Sequence, residues 1–295
     1  MKKFYVIAMC VLGVMALASC SKSEDGVDVP DQPKMVQLSF EAVQDNGGAD
    51  TRSHLQPTKE VYWDENDQIT VFSKNTGYSF ETRRGGETVN FVGTVYVEDG
   101  TYYALYPYNG SATFDGTTIK TTLQAEQVVD DDLESGSTCS FAKGANITVA
   151  STLAEDMALS FKNVCGLIKF SISSEASPLP FNTATLQGLN SEKLAGGISI
   201  TGVNTNTPTG TITGSNETIT LRKNDGPFHK NIDYYIVVPP ITFTNGYKIT
   251  FSYNGGAPTE VWTVNDGSKT VVRSNILKAG TTAQAGVYTY VAPTP

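Results

Sequence analysis

The chain has 295 residues, 21 basic and 30 acidic, giving a formal charge of −9 and an isoelectric point near 4.8. An acidic chain without a basic cluster is a poor binder of polyanions, so nucleic acid is excluded as a partner. Its length suits two domains of ordinary size, each able to bury its own core.

The first element with a clear meaning is the N-terminus. Lys2 and Lys3 make a basic start, Phe4 to Ala16 an apolar run, and Leu17-Ala18-Ser19-Cys20 a small-residue ending before a cysteine. That is the layout of a secretory signal, shorter than the ~20 apolar residues of an ordinary spanning helix. The ending resembles the bacterial lipobox, whose cysteine is acylated and becomes the first residue of the mature protein. Residues 1–19 therefore read as a signal peptide and Cys20 as the lipidation site. Each buried acyl CH₂ contributes about 0.8 kcal/mol, so two or more chains anchor a protein almost permanently. Removing residues 1–19 takes Lys2 and Lys3 with it, leaving 276 residues and a charge of −11. Residues 20–34 are polar, bear Pro30 and Pro33, and read as a flexible tether. Within them, Ser23-Glu24-Asp25 resembles the short acidic tract that sends lipoproteins of Gram-negative anaerobes to the cell surface.

Beyond the tether the pattern turns to β. Residues 36–43 alternate, placing Leu38, Phe40 and Ala42 on one face. Strands follow at 68–73, 88–97 and 101–106, the last two joined by a tight turn at Asp99-Gly100. The stretch 123–158 is polar, carries Asp130-Asp131-Asp132, and reads as a long excursion between two β regions. Further strands are expected at 166–172, 197–201, 217–221, 234–238, 247–253, 258–264 and 287–291. Asn254-Gly255-Gly256 makes the turn after Tyr247, Ile249, Phe251 and Tyr253, which share a face. Beyond the signal no segment of ten residues has helical spacing, although 274–279 has room for a turn or two. The expectation is an all-β protein of two antiparallel β-sandwich domains, 35–160 and 161–295.

The residues that carry chemistry are sparse. His54 and His229 lack any zinc-ligand spacing, and neither a nucleophile elbow nor a phosphate-cradling loop is present. Asp64, Glu65 and Asp67, like Asp130 to Asp132, miss the EF-hand pattern and read as solvated loop acids. No metal, no cofactor and no enzymatic activity is expected. The one enzymatic alternative is glycan hydrolysis by carboxylates far apart in sequence. Tyr102-Tyr103-Ala104-Leu105-Tyr106-Pro107-Tyr108 reads as a core strand, with a sugar-stacking platform as the alternative. Trp63 and Trp262 read as buried anchors. With Cys10 in the signal and Cys20 acylated, Cys139 and Cys165 remain, either as one bridge or as two separate thiols.

Taken in order, several segments look familiar: the first strand, then Thr51-Arg52, then 62–72 (beginning Tyr62-Trp63-Asp64), the 102–108 aromatics, 160–170 (beginning Ser160-Phe161-Lys162), and Tyr234 to Pro240. On a chain with a lipobox, this series resembles the fimbrillin-like (Mfa-like) lipoproteins of Gram-negative gut and oral anaerobes, over nearly the whole mature length. The resemblance implies two tandem transthyretin-like sandwiches and a role as a type V pilus subunit in adhesion. It implies a precursor anchored in the outer membrane, cut by an arginine-specific protease, and joined to other pilus subunits by strand exchange. The strand lost would carry Leu38, Phe40 and Ala42. Arg52, between Asn46-Gly47-Gly48 and Pro57, is the candidate cleavage site, with Arg83 and Arg84 as rivals. Val287, Thr289 and Val291 lie on an alternating C-terminal segment that offers itself as the donor. Ala292-Pro293-Thr294-Pro295 adds no long donor extension, so stalk, tip and anchor roles stay open, as does the surface ligand. The alternative is a non-polymerising surface module that binds glycan through the 102–108 aromatics.

Overall fold

The structure is a computed structural model that describes residues 35–44, 54–55, 61–97, 100–129, 139–142, 144–281 and 286–292. Cys20, Arg52, Asp99 and Asp130 to Asp132 lie outside the described residues, as do the signal and the tether. The described residues form one compact unit, and every regular element among them is a strand. The all-β expectation holds.

The strands, in chain order, begin with β1 (Met35–Gln44), β2 (His54–Leu55), β3 (Val61–Tyr62), β4 (Gln68–Ser73), β5 (Thr76–Thr82), β6 (Val89–Tyr96) and β7 (Thr101–Tyr106). Next come β8 (Thr113–Phe114), β9 (Ile119–Leu123), β10 (Glu126–Val129), β11 (Cys139–Phe141), β12 (Thr148–Leu153) and β13 (Ala158–Asn163). They continue as β14 (Gly166–Ser174), β15 (Thr183–Gly188), β16 (Gly196–Thr201), β17 (Thr209–Ile212), β18 (Thr218–Lys223) and β19 (Asp233–Val238). The last are β20 (Ile241–Phe243), β21 (Tyr247–Tyr253), β22 (Gly256–Val264), β23 (Lys269–Val271), β24 (Ile276–Lys278) and β25 (Val287–Tyr290).

Seven strands close into a barrel in the order β1-β13-β12-β7-β4-β5-β6. Closure gives every strand of this sheet a neighbour on each side, which an open sheet cannot do. The barrel core is aromatic. Trp63 stands at its centre, meeting Phe91, Tyr106 and Phe161 edge-on at 5.0, 5.1 and 5.3 Å. A second core fills a sandwich whose five-stranded sheet is ordered β10-β18-β15-β21-β22 and whose other sheet runs β11-β19-β14-β24. Phe170 of β14 meets Phe251 of β21 across the layers at 5.5 Å. Trp63 and Trp262 are both buried, as the sequence predicts.

The segment expected to be an excursion is instead woven into the fold. β9 pairs with β16, β10 runs parallel to β18, and β11 runs parallel to β19. These strands are short and their partners are distant, so no local alternation announces them. Gln127 shows the cost of reading polarity alone: it is buried, and its amide bonds both the N–H and the C=O of Val237 at 2.9 and 2.8 Å. The side chain imitates a strand edge and stitches the two layers together. Around 274–279 the chain makes β24 rather than a helical turn.

Cys165 is an unbridged, buried thiol, so the bridge to Cys139 is not formed. The register explains why. Cys139 pairs with Asp233, and β19 meets β14 so that Gly166 faces Val238 and Phe170 faces Tyr234. Cys139 thus sits roughly 20 Å along the sheet from Cys165 at ~3.3 Å per residue, far outside the ~7 Å Cα limit for a disulfide.

Candidate functional site: the closing strand of the barrel

β1 forms because its apolar residues fall on alternate positions and its polar ones face water. Phe40 and Ala42 are fully buried and Leu38 is half-buried against the barrel core, while Gln37, Ser39 and Glu41 are exposed. Leu38, Phe40 and Ala42 therefore share the face the sequence assigns them. Phe40 packs edge-on against Phe80 at 5.4 Å and Tyr102 at 5.2 Å. Gly93, opposite Leu38 on β6, makes room for this: a Cβ there would lie 2.6 Å from the Phe80 ring.

The strand is bonded on both sides. It runs antiparallel to β6 from Met35↔Tyr96 to Ala42↔Val89, and parallel to β13 from Glu41↔Ala158 to Gln44↔Phe161. Glu41 also donates its N–H to the Met157 carbonyl at 2.9 Å. Taking β1 away would leave the open order β13-β12-β7-β4-β5-β6 with two facing edges. Between them would lie unpaired backbone groups and an apolar slot. Anything refilling the slot must run antiparallel to β6, parallel to β13, and place apolar side chains at alternate positions. Reburying three such side chains is worth about 4 to 8 kcal/mol before ordering costs.

The C-terminal strand is held differently. β24 and β25 follow one another along the same edge of β14, through bonds from Ala279 N–H to Lys169 C=O (2.8 Å) and Ser171 N–H to Gly286 C=O (2.9 Å). The face of β25 that packs inward carries Tyr288 and Tyr290, not the valines. Tyr290 meets Phe181 at 4.9 Å, and Tyr288 meets Phe251 at 4.9 Å and donates its hydroxyl to Glu260 Oε2 at 3.1 Å. Burial, then the bond to Glu260, push the Tyr288 phenol up to about 12. Val287, Thr289 and Val291 are exposed, so in this state the candidate donor face is turned to water.

The other sequence candidates fall as follows. Arg83 and Arg84 are exposed, yet their turn is tied down. Thr82 Oγ1 donates to the Arg84 carbonyl at 2.9 Å, and Gly86 exchanges two 2.9 Å backbone bonds with Trp63. Tyr102 and Tyr106 are buried in the barrel and cannot stack on a sugar; Tyr108 is exposed. His229 is exposed in a loop. Asp67 is buried, and its Oδ2 accepts the Asp64 N–H at 2.7 Å, so it shapes a turn. Among the described residues no group of three or more acidic, His or Cys side chains is placed to hold a metal. The barrel closure by a parallel β1–β13 pair is what sequence reasoning missed, since no local pattern encodes it.

No family model and no curated protein matches this sequence. Solved structures do resemble it. A protein assigned to cell adhesion in Bacteroides uniformis is 16% identical, with a TM-score of 0.49 over 87% of this chain and 92% of that one. A second protein assigned to cell adhesion, from Bacteroides ovatus, is 13% identical, with a TM-score of 0.46 over 80% and 89%. A fimbrial protein from Bacteroides ovatus is 13% identical, with a TM-score of 0.38 over 87% of this chain and 50% of its own length. With these TM-scores below 0.5, the functional reading rests on this chain's own strands.

Proposed function

We propose that this chain is a cell-surface pilus subunit, serving adhesion, that polymerises by exchanging its leading strand for a neighbour's. The observation that carries the reading is the position of β1: a ten-residue strand that closes a barrel and fills it with Phe40 and Ala42. A strand so placed comes out as one piece and leaves a slot of defined length, polarity and side-chain spacing. Strand addition to such an edge supplies both backbone bonds and specific pockets.

On this reading Cys20 is acylated and holds the precursor in the outer membrane, facing outward. Cleavage after Arg52 releases the lipidated segment together with β1. The Arg83-Arg84 rival is disfavoured by its pinned turn. The donor is the C-terminal strand of the next subunit, freed from β14, with Val287, Thr289 and Val291 entering where Leu38, Phe40 and Ala42 stood.

The test uses full-length lipidated precursor and an arginine-specific protease. The expected product begins at Ser53 and forms a ladder of SDS-resistant oligomers. Arg52→Ala abolishes the ladder, and a synthetic peptide of residues 35–44 added at cleavage caps the slot and suppresses it. A product that begins at Ser53 and stays monomeric at high concentration overturns strand exchange.

A further inference from the structure

We infer that the cleft between the 107–111 loop and the end of β9 is a binding site for a short neutral saccharide. Its volume is about 440 Å³, within the roughly 300–1,000 Å³ of small-ligand sites. None of its described lining residues carries a charge. The described lining offers a charged ligand no counter-charge for the hydration it would lose on entry. The walls instead present the amides and hydroxyls of Asn109, Ser111, Thr121, Thr122 and Gln124 beside the ring of Tyr108, which is 41% exposed. That combination suits a molecule with hydroxyls around its rim and C–H groups on its faces. The hydroxyls meet the amides, and a C–H face lies on the aromatic ring.

The loop is shaped before any ligand arrives. Tyr108 N–H bonds the Gln68 carbonyl at 3.0 Å, and Asn109 N–H bonds Thr70 Oγ1 at 3.1 Å. Asn109 Nδ2 donates to Thr121 Oγ1 at 3.0 Å, while its Oδ1 accepts the Ser111 N–H at 2.9 Å. Gly110 leaves space for the Tyr108 hydroxyl, which a Cβ there would approach to 3.1 Å. These bonds fix the amide of Asn109 in one orientation. They leave it one N–H and one lone pair, and leave Thr121 its hydroxyl hydrogen. A site already ordered loses little entropy when it binds. The site differs from the 102–106 strand, whose tyrosines at 102 and 106 are buried, and it stands whether or not β1 is exchanged.

The test is saturation-transfer NMR on the full-length protein in detergent, with maltotriose, mannotriose and N-acetylchitotriose as neutral probes and 3′-sialyllactose as the charged one. At least one neutral trisaccharide is expected to bind at millimolar concentration. Tyr108→Ala should weaken that binding by about tenfold, Gln124→Ala should weaken it less, and Tyr253→Ala, at an exposed tyrosine elsewhere, should leave it unchanged. Gln124 is exposed, so its variant reports on the cleft even if Tyr108→Ala fails to fold. Absence of binding by all three neutral probes, binding that survives the Tyr108 and Gln124 variants, or tighter binding of 3′-sialyllactose overturns the assignment.

Discussion

The first and last described strands make opposite bargains with the body of the protein. β1 is ten residues long, bonded to a partner on each side, and buries Phe40 and Ala42 completely. β25 is four residues long, pairs its backbone with β14 alone among the described strands, and rests on two tyrosines at the rim of the sandwich. The proposed strand exchange makes two separate demands. The strand that is lost must leave a deep, specific slot, and the strand that is given must come away cheaply. A full barrel wall and a short edge strand meet those requirements in turn.

The largest effect should come from removing each strand outright. Loss of residues 20–52 should open the barrel, and amide exchange in β6 and β13 should become fast while β21 stays protected. Loss of residues 286–292 should expose only the 171–174 end of β14. Hydrogen exchange read by mass spectrometry distinguishes these patterns. Equal and local effects from both deletions would mean that the two strands are held alike.

Single side chains sharpen it. Phe40→Ala deletes a fully buried ring and should cost about 3 to 5 kcal/mol. Tyr290→Ala, at the sandwich rim, should cost about 2 kcal/mol. Urea denaturation measures both, and a larger loss at Tyr290 would reverse the assignment of which strand is the cheaper to release. Between them falls Gln127→Ala, which strands the Val237 N–H and C=O in the second core and should cost about 2 to 4 kcal/mol. Because Gln127 ties β10 to β19, its loss should raise exchange in the layers beneath β25 and leave β1 as protected as before.

What the sequence discloses differs between these same two strands for a physical reason. In β1 one face is apolar and the other is Gln37, Ser39 and Glu41, so a period of two names the buried side without ambiguity. In β25 neither face is strongly polar, with Val287 and Thr289 on one and Tyr288 and Tyr290 on the other, and alternation cannot choose. The tyrosines win because Phe181, Phe251 and Trp262 offer them an aromatic bed, and those contacts lie 26 or more residues away in sequence. β10 and β11 are harder still, since a buried Gln127 looks like solvent-facing polarity until Val237, 110 residues on, is set beside it. The barrel's closure depends on the parallel β1–β13 pair, and parallel partners leave no turn signature between them. The cleft beside Tyr108 was half legible: the aromatic run marks the place, but the walls come from β9 and from the loop at 144–147.

The smallest effect concerns the hydrogen bond that helps hold β25. Tyr288→Phe keeps the ring against Phe251 and removes only the bond to Glu260, so at neutral pH it should cost about 1 kcal/mol or less. Its value is in alkali. The phenol of Tyr288 is raised to about 12 from an ordinary 10.0, first by burial and then by Glu260. The neutral ring is therefore the form the docked strand favours. That preference is fully present below pH 10 and is lost as the pH climbs towards 12, because a freed tail ionises at the lower value. Protection in β25, taken relative to the intrinsic base-catalysed exchange rate, should thus fall across that interval in the unsubstituted protein, ahead of protection in β1. In Tyr288→Phe that loss of protection should be blunted, since no proton at that position remains to be given up. Tails that loosen at the same pH in both proteins would mean that the aromatic bed alone holds the strand. In that case packing rather than the hydrogen bond would hold β25, as packing and two ladders hold β1.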